Sequence, residues 1–478
     1  MPSDDGRDIA IVSDLHLCAG YDERTGTYSR REDFFYDQAF ARFLAHLRRR
    51  AEEEGRRWRL VILGDLVDFL QVEPFDAGGG PAVDTSDRAT MVKLARIARG
   101  HRELFAALGA FAAAGFPVDV VPGNHDVELI RPAVQRRFVE LVCQSSRQPA
   151  AAEQINFYPW IYYVPGVVYA EHGHQYDDVN SFPFQLRPFV ADDPGQIDLP
   201  LGSYFVSYLF NQIEAIDPFA DNVRPVTSYL VWSLQAHPVL TLSTLGYHLR
   251  LLVAVLRRSK DQTPAELDAR REAYRRDLLP AYAEAVGLDH ETVVAIDRLA
   301  AVPAMTSKLL QLRAIILGPL TELAPAAAAM VAIYLGLGRI RPGARSFTAY
   351  ALGVAGLVWR GRRMMRSPTG QPAGYLHRAA RRIRRILTRA GRGVPVYVFG
   401  HTHAPEQIPL TTERRPPYYM NCGTWTPTVP ASFDLLGARE TFAFVQITRE
   451  RGTGRPVARL MVWNDNAGRA EPLPLMSP

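Results

Sequence analysis

Short apolar runs alternate with longer stretches of helical spacing through residues 1–175. Asp8–Ser13 (DIAIVS), Leu60–Leu63, Val118–Val121 and Val167–Ala170 read as strands. Phe34–Arg50 carries Phe35, Phe43, Leu44 and Leu47 as a helical stripe, and Met91–Ala114 reads as one long Ala-rich helix. An aromatic stretch from Tyr158 to Tyr163 leads into the fourth strand. Asp76–Asp84 (DAGGGPAVD) reads as a linker or lid, because its glycines lack the following helix start that a phosphate cradle needs. Strands alternating with helices predict a layered α/β domain.

The pattern changes between 185 and 391, where helical spacing dominates. Ser203–Ile216, Thr227–Arg258 and Thr263–Val286 read as helices, the last opened by Thr263-Pro264-Ala265-Glu266, a capping box with Pro at the first helical position. Leu323–Gly338 and Phe347–Trp359 are apolar stretches of 16 and 13 uncharged residues. Both fall short of the roughly 20 residues that cross a bilayer, so they fit bundle helices or a shallow hairpin. Strand patterns return at Val394–Phe399, Tyr418–Cys422, Phe442–Thr448 and Val457–Trp463. The expected organisation is a discontinuous domain of residues 1–184 and 392–478, interrupted by a mainly helical insertion of residues 185–391.

Charge sharpens this division. Residues 339–392 hold 14 Arg and no Lys, Asp or Glu, so the net +5 of the 478 residues leaves −9 for the remainder. Within the Arg-rich segment, Tyr375–Arg392 sets Leu376, Ala379, Ala380, Ile383 and Leu387 along one side of a helix, with arginines over much of the rest. That composition predicts a helix lying on an anionic membrane surface, the alternative being a closed helical bundle with an Arg-coated exterior. Apolar residues make up 47% of the chain, which excludes disorder as the dominant state. Three scattered cysteines (Cys18, Cys143, Cys422) form no disulfide framework and point to a reducing compartment. The acidic start lacks the features of a signal peptide, so the expected location is cytoplasmic, peripheral on the inner face of the membrane.

Five strands run into polar residues of one chemical kind. They lead to Asp14-Leu15-His16, Gly64-Asp65-Leu66-Val67-Asp68, Gly123-Asn124-His125-Asp126, His172-Gly173-His174 and Gly400-His401-Thr402-His403. Residues beyond the carboxyl ends of neighbouring strands meet at one sheet edge. Carboxylate, imidazole and amide oxygen without thiolate suit hard-to-borderline divalent metals. The number of donors exceeds the needs of one ion and suits two ions sharing a carboxylate, an arrangement that clamps a phosphoryl group and holds a hydroxide for in-line attack.

In this order, DLH, GDLVD, GNHD, HGH and GHTH resemble the calcineurin-like metallophosphoesterase superfamily over residues 1–180 and 393–465. The resemblance implies a β-sandwich flanked by helices (αββα). It assigns Asp14, His16, Asp65 and His403 to a first metal, and Asn124, His172 and His401 to a second bridged by Asp65. With these ligands assigned, His125 is left as the expected general acid, with Asp68 holding its imidazole oriented and cationic, and the resemblance gives both residues the same parts. The implied cofactors are two divalent ions, Mn²⁺ foremost, with Fe, Zn, Co or Ni compatible with the donors. His174 is expected to lie outside the ligand set, Cys18 to be inert, and Asn421–Trp425 to wall and support the site.

Departures from the family pattern narrow the substrate. Protein phosphatases of the superfamily carry Arg after GDxxD, where this chain has Phe69. The flanks DLHL, GNHDVEL and EHGHQYD look more like the branch containing UDP-2,3-diacylglucosamine pyrophosphatase, although that branch commonly has Arg in place of His125 and lacks so large an insertion. The expectation is a hydrolase of phosphoric esters or anhydrides acting on a small-molecule, nucleotide-linked or lipid-linked phosphate. A nuclease and a catalytically inactive scaffold are the alternatives. The basic stretch lacks the interleaved aromatics of a single-strand binder, and none of the ligands is eroded.

Overall fold

The structure, a computed structural model, describes residues 4–73, 83–207, 263–312, 374–427, 441–450 and 452–473. The helix expected at Thr227–Arg258, both apolar stretches, and most of Ser203–Ile216 and of Asp76–Asp84 lie outside the described residues.

Two sheets face each other. The first has seven strands, ordered β12 (Arg469–Pro472), β11 (Pro456–Asn464), β10 (Ala443–Arg449), β1 (Asp8–Val12), β2 (Trp58–Leu63), β3 (Val118–Val121) and β4 (Ile155–Phe157). β1 to β4 are mutually parallel, and β10 lies antiparallel to β1 with Ile9 opposite Ile447. The second sheet has five strands, ordered β8 (Glu406–Pro409), β9 (Tyr418–Asn421), β7 (Val396–Phe399), β6 (Val168–Ala170) and β5 (Tyr162–Val164). Here β9, β7 and β6 are parallel. Every residue of β1, β2 and β3 is buried, as expected of parallel strands covered on both faces.

Three apolar layers hold the sheets and their helices together. Ile9, Ile11, Val61, Leu63, Val168, Val398 and Met420 fill the space between the sheets. The outer face of the first sheet packs on α1 (Asp37–Glu54), α2 (Asp87–Gly100), α3 (Arg102–Ala113) and α4 (Pro132–Ser146). The outer face of the second sheet, with Tyr169, Tyr397, Phe399 and Tyr419, packs on α5 (Pro264–Asp277), α6 (Leu279–Val286), α7 (His290–Asp297) and α8 (Tyr375–Arg389). Helices α5 to α8 therefore form the fourth layer of an α/β/β/α stack.

Four local outcomes differ from the pattern reading. Met91–Ala114 is two helices, because Gly100 packs against the backbone of Ala19 and Gly20 and His101 turns inward between Glu32 and Asp37. Thr263–Val286 is also two helices, the second restarting with Pro280 in its first turn; the capping box at Thr263 is present. α4 was not anticipated. Finally, the apolar side of α8 does not face outward: Tyr375, Leu376, Ala379, Ala380, Ile383 and Leu387 are buried against the second sheet. The aromatic outer face of that sheet needs a cover, and the apolar side of α8 supplies it. Only the arginine side is left for any membrane contact.

Candidate metal centre

The carboxyl ends of β1, β2, β3, β6 and β7 converge, and the backbone bends sharply where the chain leaves β1, β2 and β7. Asp14, His16, Asp65, His401 and His403 all have positive φ, and they are five of the seven non-glycine residues that do so among the described residues. Such conformations cost energy and persist only where surrounding contacts enforce them. Here the enforcing bonds link the strands: Asp14 N donates to Gly64 O (3.1 Å) and His16 N to Asp65 O (2.9 Å). Gly123 has no side chain because a Cβ there would collide with the Asp65 carboxylate, and at Gly64 it would collide with the His172 ring.

On one side, His16 Nε2 lies 3.1 Å from His403 Nε2, and His403 Nε2 lies 3.4 Å from Asp14 Oδ1. On the other, His172 Nε2 lies 3.1 Å from Asp65 Oδ2. Asp65 is shared: it groups with His172 and His401, and separately with His16 and His125, each set able to offer ligand atoms within 4.8 Å of one another. Asp14, His16 and His403 form the third such set. His172 is fixed by its other nitrogen, 2.9 Å from Leu63 O.

These residues fit divalent ions on a simple test. Asp14 Oδ1, Asn124 Oδ1 and His172 Nε2 are buried without a hydrogen-bond partner. A buried polar atom that makes no hydrogen bond is costly, and cations held by the groupings around Asp14 and around His172 would satisfy those two atoms. The charges agree. Burial works against ionisation of Asp14 and Asp65, yet the surrounding histidines hold both carboxyls well below the usual range. Burial likewise disfavours a charged His172, but Asp65 and Asp14 lift it to about 9. Protons on imidazoles thus balance the carboxylates where cations would displace them.

His125 stands apart. Its Nδ1 lies 2.6 Å from Asp68 Oδ2, while Asp68 also receives His16 Nδ1 at 3.2 Å. Burial lowers the His125 pKa, but Asp68 and Asp65 outweigh it and the net shift is upward. His174 is buried with Nε2 3.1 Å from Gln185 Oε1 and belongs to none of the three ligand sets. Cys18 is buried with its Sγ 3.1 Å from Gln71 Oε1. The Asn421–Trp425 stretch braces the centre: Asn421 Nδ2 donates to Gly400 O (2.7 Å) and Thr424 Oγ1 to Asp14 O (2.6 Å).

Two carboxylates escaped the sequence reading although both stand inside its motifs. Asp126 accepts from the amides of Gly123 (2.6 Å), Leu66 (2.8 Å) and Asp65 (3.3 Å), tying the third motif to the second. Burial and the neighbouring Asp65 push its pKa up to about 7. Asp177, in EHGHQYD, reaches His401 Nε2 at 3.4 Å. Their partners Asp65, Leu66 and His401 belong to other motifs, so spacing alone gives no sign of these contacts.

Residues 7–221 match the family model for calcineurin-like phosphoesterases. The match takes in the first four motifs, while His401 and His403 lie beyond it. A comparison with curated proteins finds no match.

Proposed function

We propose that this protein hydrolyses phosphoric esters or anhydrides with the help of two divalent metal ions, Mn²⁺ foremost. The observation that carries this reading is the pair of adjoining groupings, Asp14 with His16 and His403, and Asp65 with His172 and His401, tied together by the approach of His16 Nε2 to Asp65 Oδ2 (3.8 Å). Asp14, His16, Asp65 and His403 would hold one ion, and Asp65, Asn124, His172 and His401 the other. When bound, the ions would supply Lewis-acid charge for the phosphoryl group and activate water as nucleophile. The chain's own residues do the rest. Asp68 accepts the Nδ1 proton of His125, which leaves Nε2–H to protonate the departing oxygen.

The substrate reading is a phosphate whose leaving group carries an apolar part. Leu70 and Val127, each two residues beyond Asp68 and His125, pack with Phe182 and with Leu199, Leu201 and Tyr204 of the insertion. An apolar cluster thus stands next to the catalytic pair. This agrees with a lipid-linked phosphate, the class to which the motif flanks point.

The test is hydrolysis of an aryl phosphate with and without Mn²⁺. Activity should vanish with chelator and return with metal. Asp65→Asn should lower metal affinity more than loss of a terminal ligand such as His403, because both sites share Asp65. Full activity in metal-free buffer would overturn the reading.

A further inference from the structure

Of the two histidines assigned to the second ion, His172 is oriented by a main-chain carbonyl, Leu63 O, within the layered domain. The partner of His401 is of a different kind. Its Nε2 faces the carboxylate of Asp177, which follows the HGH motif and stands shortly before the insertion. The same carboxylate accepts from Val179 N (3.0 Å) and Asn180 Nδ2 (2.9 Å), and the Asp177 carbonyl accepts from Ser181 N (2.8 Å). This turn is in turn the anchorage of distant insertion segments. Gly202 N donates to Val179 O, Ala304 N to Asp178 O and Ala301 N to Gln175 O, each at 2.8 Å.

We propose that Asp177 is a positioning residue that couples the second metal site to the seating of the insertion. Resting on the dinuclear reading above, the argument runs through one imidazole. A carboxylate at Nε2 fixes the proton there and leaves Nδ1 as the nitrogen available to an ion. The His401 backbone is held independently, its amide donating to Asp14 Oδ2 at 3.0 Å, so the ring orientation is what Asp177 sets. A metal bound at Nδ1 strengthens the Nε2–H bond to Asp177, and this tightens the turn that anchors residues 201–204 and 301–304. By linkage, an unseated insertion weakens metal binding to the same degree.

The test combines calorimetric Mn²⁺ titration of the full chain with amide hydrogen exchange, neither of which requires turnover. Wild type should show two binding events, and metal should slow exchange across residues 177–181 and 301–304. Asp177→Asn should weaken one event by about 10–100-fold and remove that protection, while Asp177→Glu restores part of both. Melting temperatures in chelator identify a mere folding defect. A less stable Asp177→Asn protein with wild-type metal affinity would overturn the coupling, as would wild-type exchange that ignores metal. Failure of the wild type to bind metal at all would instead bring down the dinuclear reading.

Discussion

His125 has one ring nitrogen committed to Asp68 at 2.6 Å, and this separates it chemically from the histidines around it. A proton donor matters most when the departing oxygen is a poor leaving group. His125→Ala should therefore cost about 10²–10⁴ in rate on alkyl phosphate esters, far less on nitrophenyl esters, and leave bound metal near normal. Loss of metal in that variant would make His125 a ligand, a role its grouping with His16 and Asp65 makes geometrically available. At this scale, the ring of polar residues around the metals was readable from sequence because each follows an apolar strand directly. Asp126 and Asp177 were not, since the atoms they hold belong to other motifs and no local spacing encodes them.

Elements were legible where one periodicity ran undisturbed and misread where a tertiary contact broke it. β1, β2 and β3 emerge from their apolar runs, and α8 from its stripe, but the stripe could not say whether protein or lipid covers it. The break between α2 and α3 is the clearest misreading. Ala-rich spacing continues through it, and the packing of Gly100 on Ala19 and Gly20, with the pull of Glu32 and Asp37 on His101, interrupts the helix. That junction is also titratable. Burial lowers the His101 pKa, but Glu32 and Asp37 outweigh it and hold it at about 10, above the ordinary value of 6.5. The fold thus favours the protonated ring. Its contribution to stability is complete below about pH 6.5 and is lost as pH rises through 10. The wild-type melting temperature should fall across that window, and His101→Gln should flatten the slope. An equal fall in the variant would remove His101 as the cause.

Over the whole molecule, charge is distributed unevenly. In α5, Arg275 and Arg276 pair with Asp297, Glu272 and Asp277. In α8, by contrast, Arg381, Arg382, Arg385 and Arg389 have no ion pair among the described residues. No described helix is long and apolar enough to cross a membrane. We therefore propose that any membrane contact at this face is electrostatic, at about 1 kcal/mol per basic residue near an anionic surface. Flotation with vesicles should increase with anionic lipid content and decrease with salt. It should be lost when Arg381, Arg382, Arg385 and Arg389 are all changed to Gln. Binding to duplex DNA but not to vesicles would favour the nuclease alternative.

The chain's route through the stack also sets a timetable for its birth. His16 and His403 meet across 387 residues, and β7 enters the middle of the second sheet, between β6 and β9, only after the insertion has been made. At 5–20 residues per second, about 20–80 s separate the synthesis of the two histidines. Throughout that interval β1 lacks its neighbour β10, and β6 exposes the edge that β7 will occupy. A nascent chain stalled inside the insertion thus presents open strand edges, the condition under which chaperones are recruited. The chain can bring all three candidate ligand groupings together only after His401 and His403 have been synthesised.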